Sequence, residues 1–135
     1  MNLPIRKLKG MSAKHETKLE RHGINDSDQL LNASRTPAAR HDLAKMMGVE
    51  ASAILGLANR ADLARVKGIG RVFSDLLEQA GVDSVKELAN RRPDHLQIEL
   101  IEVNIQKRLA GRAPDFRAVE DWIAQAKQLP KMLEY

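Results

Sequence analysis

Residues Leu63-Ala64-Arg65-Val66-Lys67-Gly68-Ile69-Gly70 decide how this chain is read. An apolar run ends in Lys-Gly-Ile-Gly, and a second apolar set, Val72, Phe73, Leu76, Leu77 and Ala80, follows at helical spacing. The pattern predicts a tight turn and then a helix opening near residue 70. A related signature stands 58 residues earlier, as Leu8-Lys9-Gly10-Met11-Ser12. At that same offset Leu19 falls on Leu77, Gly23 on Gly81, Ile24 on Val82 and Leu30 on Leu88. Asp26-x-x-Gln29 falls on Ser84-x-x-Glu87, and both are capping-box patterns, in which the third residue after the cap reaches back. Gly23 and Gly81 stand where a helix stops in a left-handed residue. Turn, stop and cap matching at one offset imply a tandem repeat of a small helical unit.

Outward from the turns, the first unit (residues 1–65) is expected to carry helices near 12–22, 27–34, 37–47 and 51–65. The second (residues 66–135) is expected to carry them near 70–80, 85–91, 94–110 and 116–129. Pro4, Pro37, Pro93 and Pro114 lie at or just before helix starts, where proline costs little, and Pro130 follows the last helix. The helix over 51–65 would close the first unit and enter the turn of the second, making one rigid body. Val119, Trp122, Ile123, Ala126 and Leu129 form one apolar stripe. Ile98, Ile101, Ile105 and Leu109 form another, widened by Leu96, Leu100 and Val103. So wide a face predicts burial on two sides, and with it a helix at the centre of the second unit. No Gly-x-Gly follows Lys127-Gln128-Leu129-Pro130, so the array ends there, with Met132-Leu133-Glu134-Tyr135 expected to pack as a cap or to self-associate.

Composition agrees with an all-α chain. Leu and Ala contribute 17 residues each, against 17 for Val, Ile and Thr combined, so helix formers outnumber β formers two to one. The 135 residues are 43% hydrophobic and 30% charged, which describes a globular chain. The lack of cysteine excludes disulfides, thiolate metal sites and Cys catalysis, and fits a reducing compartment. No apolar run nears the ~20 residues that span a bilayer, and the basic first ten residues lack the core of a signal peptide. A soluble cytoplasmic protein is expected, with no membrane partner. Four aromatics (Phe73, Phe116, Trp122 and Tyr135) cannot build the stacking platform of single-strand binders.

Charge is uneven. Residues 1–65 hold 11 basic and 7 acidic side chains, whereas residues 66–135 hold 11 of each. The excess begins with Arg6, Lys7, Lys9, Lys14, Lys18 and Arg21. A basic face of this kind attracts polyanions by releasing counterions, or is simply solvated.

The turn at Lys67, Gly68, Ile69, Gly70 and Arg71 is the one motif with chemistry. Two glycines permit unusual backbone angles, Ile69 can tuck inward, and the next helix would open with free N–H groups and partial positive charge. Lys67 and Arg71 could add charge-assisted bonds to neighbouring phosphates. The turn resembles the helix-hairpin-helix motif, hydrophobic-x-Gly-hydrophobic-Gly, which DNA ligases, glycosylases, junction-binding proteins and some polymerases use to grip the DNA backbone without reading bases. In the first copy Ser12 replaces the second glycine, so Lys9, Gly10, Ser12, Lys14 and Lys18 form a secondary basic face that would act through side chains or meet another protein.

Three further segments carry a family likeness: Asn59-Arg60-Ala61-Asp62-Leu63, Gly81-Val82-Asp83-Ser84-Val85-Lys86-Glu87-Leu88 and Glu102-Val103-Asn104. With the stretch from Val119 to Pro130, they resemble a bacterial and archaeal family of unknown function, DUF4332, over nearly all of residues 3–135. The resemblance implies an all-α, SAM-like fold of tandem helix-hairpin-helix repeats in two stacked units. It implies no reaction. His15 and His22 share a helical face but lack a second ligand pair; Asp75 with Glu78, and Glu99 with Glu102, are same-face carboxylates, but acid–base work needs a pocket that the sequence does not show. Nucleotide-binding and hydrolase motifs are missing. The expectation is therefore no enzyme, no metal and no cofactor. The partner is either double-stranded DNA, bound without sequence preference, or a protein, with the hairpins purely structural.

Overall fold

A computed structural model describes residues 2–135. They form eight α-helices and no strand: Ala13–Arg21 (α1), Ser27–Ala33 (α2), Pro37–Met47 (α3), Ala51–Leu63 (α4), Arg71–Gln79 (α5), Val85–Ala89 (α6), Pro93–Lys107 (α7) and Phe116–Gln128 (α8). A short 3-10 turn, Ile5–Lys7, precedes α1, and a lone bridge pairs Pro4 with Asp26. No helix among the described residues is long and apolar enough to cross a membrane.

Side chains fix most helix starts. Ser12, Asp26, Thr36, Ser84 and Asp115 accept the backbone N–H groups of His15, Gln29, Ala39, Glu87 and Ala118. Each such cap contributes about 1 kcal/mol. The return half of the expected capping boxes does not form. Gln29 Oε1 accepts from Asn25 N–H, one residue before the cap, and Glu87 turns to Arg91 at 2.9 Å.

The offset of 58 reappears in backbone hydrogen bonds. Leu8 N–H to Ile5 O is matched by Val66 to Leu63, and Met11 to Leu8 by Ile69 to Val66. Gly23 to Glu20 is matched by Gly81 to Glu78, and Ile24 to Leu19 by Val82 to Leu77. Gly10 and Gly68 share a left-handed backbone, at φ 94° and 99°.

Two hydrophobic cores result. Ile5, Leu8, Leu19, Leu30, Met47 and Ile54 belong to the first; Ile69, Leu76, Leu77, Leu88, Trp122 and Ile123 belong to the second. The helix α4 reaches both, placing Leu57, Ala58 and Ala61 in the first and Leu63 in the second. Its polar residues join the two bodies: Arg60 pairs with Asp75 on α5, and Asp62 Oδ2 accepts Val85 N–H at the start of α6.

The helix over 94–110 is shorter than its apolar pattern predicts and is not central. It ends at Lys107, where Arg108 takes a left-handed φ of 50°, and the Asn104 side chain then bonds both backbone groups of Ala110. Only Leu96 and Leu100 are fully buried, while Ile98, Ile101 and Ile105 are 54%, 38% and 71% exposed. Although α7 packs on α5 and α8, the central position belongs to α8, which packs on α6 and α7 and buries four residues against two in α7. Val119, Trp122, Ile123 and Ala126 of its stripe are buried as their spacing predicts.

After α8 the chain folds back onto the first unit. Leu133 is buried in the first core, with Met132 packed against it. Glu134 N–H bonds Arg35 O, Arg40 donates to Glu134 O, and the Tyr135 hydroxyl donates to Asn59 Oδ1.

Candidate functional site

Between α4 and α5, the turn is built as its residue types require. Ile69 is fully buried and donates its N–H to Val66 O, pinning the loop. Lys67, Gly68 and Arg71 are exposed. From behind, α8 braces the turn. Gln125 Oε1 accepts Lys67 N–H at 2.9 Å, and Gln125 Nε2 donates to Lys67 O at 3.1 Å. Trp122, stacked at a tilt on Phe73 with ring centroids 5.3 Å apart, lies directly beneath Gly68. A Cβ on Gly68 would sit 2.8 Å from Trp122 Nε1. Sequence reading missed Gln125 as part of this structure and took Trp122 for core alone; no local pattern links them to a loop so distant in sequence.

The two glycines have different roles. Gly68, at φ 99°, needs the freedom that only glycine gives without strain. Gly70 has φ −106°, open to any residue, so its expected conformational role is not found. Gly68→Ala should combine a left-handed penalty of about 1–2 kcal/mol with the Trp122 clash, lowering the melting temperature by ~5–10 °C. Thermal circular dichroism checks this; an unchanged midpoint would contradict the brace.

Gly70 serves as the N-cap of α5 without a side-chain cap, and the first turn holds no acidic residue. The first N–H groups of that helix therefore present partial positive charge. The Lys67 amide is engaged with Gln125, so only its ammonium adds to this surface, beside the guanidinium of Arg71.

At the first turn the arrangement differs. Ser12 Oγ accepts His15 N–H, closing the start of α1, and Glu16 lies in its first turn. Lys9, Gly10 and Lys14 are exposed, but Lys18 Nζ donates to Met47 O at 3.3 Å and points at the end of α3. This turn faces α4: Lys9, Gly10 and His15 border a cleft of about 330 Å³ with Gly56, Arg60 and Glu78. The two turns thus open on different neighbours.

In that cleft one guanidinium serves two carboxylates. Arg60 reaches Asp75 at 3.1 Å and Glu78 at 3.3 Å, but Arg60 Nε and Glu78 Oε2 are buried without a well-directed hydrogen bond. Burial raises the Glu78 carboxyl pKa above its ordinary 4.5; Arg60 opposes this, and Asp75 and Asp83 reinforce it. A raised folded-state value means that Glu78 favours folding most below pH 4.5 and that this contribution is lost as pH rises through the folded-state value. Glu78→Gln should therefore gain stability relative to wild type between pH 4 and pH 7.5, read from paired melting curves. A constant difference across that range would contradict it. No group of three His, Asp or Glu able to hold a metal occurs among the described residues.

Among curated proteins and among solved structures, none matches this chain. A family model does, over residues 9–129, which include both turns, the polar joint in α4 and all of α8. The chain belongs to the family described as Domain of unknown function (DUF4332).

Proposed function

We propose that the chain is a tandem of two helix-hairpin-helix units that binds the phosphate backbone of duplex DNA without reading bases. The observation carrying this reading is the uncapped, acid-free N-terminus of α5, held on a braced turn between exposed Lys67 and Arg71. Backbone N–H groups and the helix dipole favour an anion there, and the two cations can reach flanking phosphates. The first turn, closed by Ser12, contributes Lys9 and Lys14 as a weaker basic face. Nothing in this arrangement calls for a reaction.

The exposed Ile98, Ile101 and Ile105 stripe on α7 favours a second reading, an interaction module whose hairpins are structural. A mobility-shift titration with duplex, single-stranded and branched DNA across a salt series separates the two. The backbone reading expects duplex and branched DNA to bind alike and to be released by salt. No shift at low ionic strength would leave the interaction reading standing.

A further inference from the structure

The C-terminal tail does more than cover the first core. With α6 and the end of α8 it walls a cleft of about 420 Å³. That volume lies within the usual range for small-molecule sites. Val85, Ala89, Ala126, Leu129 and Met132 give the cleft an aliphatic lining. Four cationic side chains (Arg65, Lys86, Lys127 and Lys131) face it, against one carboxylate, Asp62.

That carboxylate is already spent. Asp62 is 3% exposed, with Oδ1 taken by Arg65 at 2.8 Å and Oδ2 by Val85 N–H at 2.8 Å. Arg65 also donates to Pro130 O at 2.7 Å, which fixes the start of the tail against the cleft. Lys86, Lys127 and Lys131 reach no carboxylate within ion-pair distance among the described residues. An aliphatic hollow beneath three uncompensated ammonium groups matches one ligand chemistry, an apolar body with a single anionic head. Ser84 caps α6 and Asp62 is occupied, so among the uncharged polar side chains of the lining the Asn90 amide is the one left to meet a polar group on the ligand.

We propose that this cleft binds a small amphipathic organic anion, with its apolar body on Val85, Ala89 and Leu129 and its head among Lys86, Lys127 and Lys131. The site is separate from the hairpin and stands whether or not that turn holds DNA. Anilinonaphthalene sulfonate, titrated against the folded full chain, should show saturable enhancement at one site per chain. The Lys86→Gln/Lys127→Gln variant changes two exposed residues in the last turns of α6 and α8, so its melting temperature should fall by no more than a few degrees while its affinity for the dye falls about tenfold or more. Decanoate should displace the dye, and decyltrimethylammonium, with the same chain length and the opposite charge, should not. Equal dye affinity in variant and wild type, or equal displacement by both amphiphiles, would overturn the proposal.

Discussion

Deleting residues 131–135 should lower the melting temperature by roughly 10 °C or more. The tail is short, but Leu133 is buried in the first core, and emptying such a position costs about 2–5 kcal/mol. Arg40, only 5% exposed, would lose its bond to Glu134 O and its position 5.9 Å from the Tyr135 ring, keeping only Ser34 O. A buried donor left unpaired costs about 1–3 kcal/mol. Freed conformational entropy of five residues offsets part of this loss. Leu133→Ala alone should account for most of the change, whereas Lys131→Ala should have almost no effect, because that side chain is exposed. A deletion variant that melts with wild type would show that the tail does not hold the first core.

Gly70→Glu should abolish duplex binding while leaving the fold intact. At φ −106° the backbone accepts a side chain, so the turn has no conformational reason to fail. A carboxylate at the start of α5 would interact favourably with the helix dipole, holding or slightly raising the melting temperature. The same carboxylate would occupy the anion site from within and repel an incoming phosphate. Affinity should fall by more than about tenfold at low salt, with helical circular dichroism unchanged. Undiminished DNA affinity in a folded variant would remove α5 from the interface.

How far the sequence discloses this molecule depends on the range of the interaction concerned. Helix starts at Ser12, Asp26, Thr36, Ser84 and Asp115 are local events between a side chain and an amide three residues on, so composition and spacing place them well. Turns at Gly10 and Gly68 are equally local. The α7 stripe is not. Periodicity shows that Ile98, Ile101 and Ile105 share a face but not whether a neighbour covers it, and here α8 takes the interior position instead. The early stop at Lys107 was hidden because Asn104 closes it through Ala110, a bond without a familiar signature.

Long-range pairings account for the remaining gaps at the site. Gln125 bracing Lys67, and Leu133 entering a core built mainly from residues 5–61, join segments with no periodic relation. One signal was readable: Asn59, Arg60 and Asp62 are polar residues crowded onto a largely apolar helix. Each proves to be held between elements, to Tyr135, Asp75 and Val85 respectively.

The central claim is that phosphate is held at the second turn, and the salt dependence of duplex affinity tests it most directly. The logarithm of the association constant should fall linearly with the logarithm of salt concentration for wild type. Lys67→Ala and Arg71→Ala should each flatten that slope by about one phosphate contact, without creating any base preference. Lys107→Ala, at the opposite end of α5 where Lys107 bonds Gln79, should leave the slope unchanged. Slopes for Lys67→Ala and Arg71→Ala equal to that of wild type, or wild-type protein with no salt-sensitive affinity at low ionic strength, would contradict the account.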